Sequence, residues 1–143
     1  ITYDREKTRL YVSGKFLAES DGWQGKLYDS PDTFKVGRRT RGGDTHSIYK
    51  GLTDEVRISK VIRYTADFAV PTNPFEPDND TVALYHFDEA DGTVVKDASK
   101  NGNHGNLVKD AVLVPADTPI EYSVTAVQAA GKLAITWGKM KSE

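Results

Sequence analysis

Residues 49–59 read YKGLTDEVRIS and residues 84–107 read LYHFDEADGTVVKDASKNGNHGNL. In the first stretch Leu52, Val56 and Ile58 recur at period two while Thr53, Glu55 and Arg57 take the other face. That alternation is the signature of a half-buried strand over residues 52–58. Asp54 shares the apolar face, where an unpaired carboxylate is expensive, so it needs a cation, a donor or an opening to solvent. In the second stretch residues 82–87 predict a strand and residues 93–95 a shorter one. Residues 100–105 (KNGNHG) are turn chemistry, because Asn and Gly tolerate positive φ.

Outward from these stretches the pattern stays β. Residues 8–12 (TRLYV), the turn signal Ser13-Gly14-Lys15 and residues 16–18 predict a hairpin. Residues 33–36 read as a short strand closed by Gly37, residues 38–44 (RRTRGGD) as a polar loop, and residues 48–50 as a strand. Pro71, Pro74 and Pro77 mark residues 69–80 as a connection that is not central strand, since proline lacks the ladder donor. Alternation returns in residues 120–126 and 133–137, which predicts a terminal hairpin that docks on the rest of the chain, pairs with another subunit, or serves as a secretion or anchoring tail. No stretch of ten or more residues carries helical periodicity. The expected fold class is therefore all-β.

A length of 143 residues, with 38% hydrophobic and 28% charged, is that of a single soluble domain long enough to bury a core. A net charge of -2 offers no electrostatic reason to expect nucleic acid or an anionic membrane as partner. No apolar run approaches the ~20 residues of a membrane span, so no membrane insertion is expected. The absence of cysteine excludes disulfides and thiolate metal sites. An opening at Ile1 rather than Met reads as an excised or processed piece of something longer.

Several phrases, taken jointly and in order, resemble the laminin-G-like branch of the concanavalin A-like jelly rolls. Thr2-Tyr3-Asp4 with residues 10–15 resembles that family's "tYDg..lrLYvdGk" hairpin, with Ser13 where Asp is commoner, and residues 34–38 resemble its "fkiGr" strand. Residues 49–59 are similar to "f.G.iDEvRis", residues 63–68 to "RYtadF", and residues 83–105 to "aLYhFDE..Gt.vkDsSgNgnhG". The family's front half is absent, and the FDE phrase here follows the DEVRI strand. The resemblance thus implies a concanavalin A-like jelly-roll sandwich that is either permuted or incomplete in this chain. Residues 1–68 would be the back part of one domain, 69–80 a Pro-rich connection, 81–117 a segment of the same or a following domain, and 118–143 a C-terminal hairpin or tail.

The same resemblance implies a non-catalytic carbohydrate-binding or adhesion module of a larger secreted or cell-surface protein, its partner a glycan or a surface protein. The alternative is a structural assembly domain that completes a sheet with a partner chain or by self-association. It also implies a structural Ca²⁺ held by Asp54, Asp97 and oxygens near Asn101 and His104. The plainer alternative is that Asp97 caps its own turn and Asp54 pairs with an arginine. An EF-hand is excluded, because Val108 stands where the loop's twelfth position needs Glu. Catalysis is not expected. Asp54-Glu55 and Asp88-Glu89 are neighbours on strand-like sequence and point to opposite faces, and the glucanase relatives' ExDxE strand is missing. For ligand binding, Trp23, Arg39, Asp44, His46 and Tyr49 supply an aromatic plane with hydrogen-bonding groups beside it, although a packed Tyr49 among solvated arginines accounts for the same residues. Asn79-Asp80-Thr81 is formally a glycosylation sequon.

Overall fold

The computed structural model describes residues 1–22, 24–27, 33–41 and 44–114, with backbone alone described at 39–41 and 44–48. Nine strands lie among them: β1 (Thr2–Tyr3), β2 (Thr8–Val12), β3 (Lys15–Ser20), β4 (Arg38–Arg41), β5 (Asp44–Ile48), β6 (Val56–Ser59), β7 (Thr81–Tyr85), β8 (Val94–Val95) and β9 (Gly105–Asn106). They pair antiparallel as β1-β2-β3, β4-β5, β6-β7 and β8-β9, with no helix among the described residues. The protein is β-rich, built of small antiparallel sheets.

The β2–β3 hairpin turns on Ser13 and Gly14, whose φ of 49° and 75° are both positive. Two positive-φ residues make the mirror-image turn whose twist matches that of the flanking strands. Gly14 is required for a second reason. Its carbonyl accepts the Phe68 N–H at 2.8 Å, and a Cβ there would sit 2.1 Å from the Phe68 carbonyl oxygen. Around this contact the Phe68 ring stacks on Tyr64 at 3.6 Å between centroids and leans on Tyr11 at 5.8 Å, while Tyr11 meets Phe16 edge-on. Asp67 accepts from the Phe16 N–H and from Lys15 Nζ. The segment resembling "RYtadF" is thereby fastened to the first hairpin.

The described apolar core is small and centres on β7, where Ala83 and Leu84 are buried, joined by Val95 of β8. The β6–β7 ladder sets Val56 opposite Tyr85 and Arg57 opposite Leu84. The connection between these strands is held down by side chains. Arg63 donates to both Asp78 oxygens at 2.8 and 2.7 Å and to Ser59 Oγ, and Arg57 lies 4.1 Å from the centre of the Phe75 ring. As expected from its prolines, this connection contains no strand.

Several local expectations are corrected. Residues 33–36 are not a strand, and Phe34 is 69% exposed. Gly37, at φ 75°, interrupts the chain there, and pairing starts beyond it, so the stretch read as a polar loop contains β4. That strand is held by ladder hydrogen bonds to β5, which composition does not reveal. β5 begins at Asp44 and ends at Ile48, where a strand was expected to start. β6 is shorter than residues 52–58, because Glu55 adopts φ 54°, a left-handed conformation that ends the pleat. Leu52 and Asp54 therefore fall outside the strand and are exposed, and the expected burial cost at Asp54 disappears. Trp23, the terminal hairpin of residues 120–137 and the whole of the 118–143 segment lie outside the described residues.

The clearest test of this arrangement is Gly14→Ala. With φ positive and the Phe68 carbonyl in the way, the substitution is expected to cost about 2 kcal/mol or more, read as a lower urea midpoint.

Candidate functional site

Two places gather the residues singled out by sequence. The first is the β4–β5 hairpin. Its register sets Arg38 opposite Ile48, Arg39 opposite Ser47, Thr40 opposite Thr45 and Arg41 opposite Asp44. The shift between Arg39 and Thr40 leaves His46 as the extra residue of a β-bulge. Bulges re-aim the chain locally and are common next to functional sites. Tyr49 closes the hairpin's base: its N–H donates to the Gly37 carbonyl at 2.7 Å and its hydroxyl donates to the Leu52 carbonyl at 3.1 Å, while the residue stays 57% exposed. The structure thus brings Arg39, Asp44, His46 and Tyr49 onto one hairpin.

The second place is the loop of residues 97–104, which grips the edge of β7. Asp97 is 6% exposed, and its two carboxylate oxygens receive four donors. Oδ1 accepts the Leu84 N–H at 2.9 Å and the Ser99 N–H at 2.8 Å; Oδ2 accepts the Ser99 hydroxyl and the Asn103 N–H, both at 2.8 Å. The Ala98 N–H donates to the Leu84 carbonyl. Asn101 Nδ2 donates to the Thr81 and Val82 carbonyls at 3.0 and 2.9 Å, and Asn103 Nδ2 donates to Val82 as well. His104 Nδ1 accepts the Asp97 N–H at 3.0 Å. Since the N–H and C=O of one strand residue point to the same side, the loop occupies the edge of β7 opposite β6. It stands in for a missing strand.

Asp97, Asn101 and His104 are therefore one network, whereas Asp54 lies two residues ahead of β6, exposed, on the other side of β7. Donors do not fit Ca²⁺, which takes six to eight oxygen lone pairs. Here the four lone-pair sites of Asp97 are met by N–H and O–H groups, Asn101 turns its NH₂ toward the strand, and His104 Nδ1 faces an N–H. Among the described residues no three His, Asp or Glu side chains gather as a metal-binding group. Burial by itself would raise the Asp97 pKa. The hydrogen bonds from Leu84, Ser99 and Asn103 outweigh it and hold the carboxyl below its ordinary value.

Sequence reasoning missed Ser99 and Asn103, which complete the network, and the pair Glu55 and His86. Glu55 Oε1 lies 2.8 Å from His86 Nδ1 and Oε2 accepts the Phe75 N–H at 3.0 Å, so this carboxylate, just ahead of β6, ties the residue that follows β7 to the connection. The missed signal in the loop was polar residues at alternate positions, Asp97, Ser99, Asn101 and Asn103, beside an apolar strand. For Glu55 there was none, because its role depends on a backbone conformation that sequence does not announce. Comparison with family models, with curated proteins and with solved structures finds no match to this chain.

The network predicts that Asp97→Ala, which strands three backbone N–H donors, costs about 3 kcal/mol by thermal or urea unfolding. Because the folded pKa lies below the unfolded one of about 3.9, the carboxylate's contribution is complete above that value. It is lost as pH falls through the folded pKa, and Asp97→Asn should flatten this acid limb of a midpoint-versus-pH curve. Ca²⁺ and EDTA should leave the wild-type midpoint unchanged. A Ca²⁺-dependent rise that vanishes in Asp97→Ala would instead put a cation in the loop.

Proposed function

We propose that this chain is a laminin-G-like, non-catalytic module of a larger secreted or cell-surface protein, working by holding a glycan or a surface partner. The observation that carries this reading is the β4–β5 hairpin. Three of the four β4 residues are arginine, β5 contributes Asp44 and the bulged His46, and the only large apolar residue in either strand is Ile48. Its strands pair only with each other among the described residues. A ladder of this composition has little apolar material to offer a core, while its sequence sets donor and acceptor residue types on the two strands that lead into the exposed Tyr49, the combination that oligosaccharide recognition uses. Non-catalysis is supported by the employment of the best-placed carboxylates: Asp97, Glu55 and Asp78 are each consumed in tying segments together.

On a glycan array the chain is expected to bind a restricted set of oligosaccharides, and Arg39→Ala combined with His46→Ala should weaken that binding about tenfold or more. Binding to no glycan, or binding indifferent to both substitutions, would remove the hairpin as the site.

A second reading, an assembly module that completes a sheet with another chain, is favoured by β3. All six of its residues are exposed, Phe16 and Leu17 among them at 48% and 46%, and it is a sheet edge. Such edges are templates for strand addition. Light scattering should then report a mass that rises with concentration, and Leu17→Lys should suppress the rise. A constant monomer mass would reject this reading.

A further inference from the structure

The chain contains five asparagines, at 73, 79, 101, 103 and 106, and only Asn101 precedes glycine. Its side-chain amide is also the clasp on β7, donating to the Thr81 and Val82 carbonyls and touching Ser99 Oγ at 3.3 Å. We propose that Asn101 is a site of spontaneous deamidation, and that the conversion releases the 97–104 loop from the edge of β7.

The chemistry needs only water. The Gly102 nitrogen attacks Asn101 Cγ, an N–Cγ bond forms, the Cγ–Nδ2 bond breaks, and Nδ2 leaves as ammonia carrying the proton lost by the Gly102 N–H. Water then adds to either carbonyl of the cyclic imide and opens it to an aspartyl or isoaspartyl residue. No redox partner is involved. Gly102 suits the attack because it lacks a side chain, is exposed, and has no atom within 4 Å of the place a Cβ would take. Asn73 is excluded by Pro74, which has no N–H to give up. Asn79, Asn103 and Asn106 precede Asp80, His104 and Leu107, whose side chains crowd the attacking nitrogen.

The consequence follows from what the amide holds. In the closed loop its NH₂ is engaged with β7, so attack proceeds when the loop opens. After conversion a carboxylate would face two carbonyl oxygens in place of a donor, and Ser99 Oγ, which contacts both Asn101 Nδ2 and Asp97 Oδ2, would lie between two like charges. Neither contact is favourable at neutral pH, so the loop does not reclose as before. The isoaspartyl product adds a backbone methylene and displaces the turn further.

The test is to age the full chain at mildly alkaline pH and follow it by peptide mapping and isoaspartyl methyltransferase labelling. Conversion is expected first at Asn101, with the converted fraction melting about 5 °C lower or more. Amide exchange at Leu84 and Ala98 should accelerate in that fraction. Asn101→Gln, whose ring closure is slower, should resist conversion at this position. Asn101→Asp supplies one product directly and should share the lowered midpoint, and the aged wild-type sample carries the test if that variant fails to fold. Conversion that begins at another asparagine, no conversion at all, or a converted fraction with unchanged midpoint and exchange would overturn the proposal.

Discussion

The hydrogen bond from the Leu84 N–H to the Asp97 carboxylate is the contact on which the rest of the described structure leans. β7 carries most of the small apolar core, and β6 satisfies only one of its edges. A strand so placed would expose buried backbone donors and acceptors on the other edge, each costing about 1–3 kcal/mol if left unmet. The 97–104 loop removes that cost without a strand. A carboxylate takes the N–H, two asparagine amides take the carbonyls, and the turn at Gly102 lets one short segment deliver them all.

The same device recurs at smaller scale. Asp67 takes the Phe16 N–H on β3 and pairs with Lys15, so the start of that strand is fastened by a side chain from a distant segment. Glu55 takes the Phe75 N–H, and Asp78 receives Arg63 and the Thr81 hydroxyl. At Asp67 and Glu55 an ionised acceptor takes a backbone donor, at Asp78 it takes side-chain donors, and the charge assists each of these hydrogen bonds. With so few apolar side chains buried among the described residues, these polar staples carry a large share of the specificity there.

Much of the β character was legible from sequence. The β2–β3 hairpin and its turn residues, the strand around residues 82–87, the strand-free proline connection and the Asn/Gly turn were all announced by alternation, proline and glycine, whose effects act within a few residues. Asp97, Asn101 and His104 came together with Asp54 only through the family resemblance. Their role was not legible, because Asp97 could have faced a cation or a set of N–H groups, and only its neighbours in space choose between the two.

By itself the sequence determined the local elements: which residues could turn, which could not donate, and which alternated. Tertiary structure decided where strands end and what polar groups do. Glu55 stops β6 by a backbone angle tied to contacts with His86 and Phe75, from segments twenty and more residues away. β4 exists because β5 is there to satisfy it, and Asp97 is structural because β7 presents a bare edge to it. The division has one physical cause: conformational preference is a property of a residue and its nearest neighbours, whereas a hydrogen bond is settled only when the distant partner arrives.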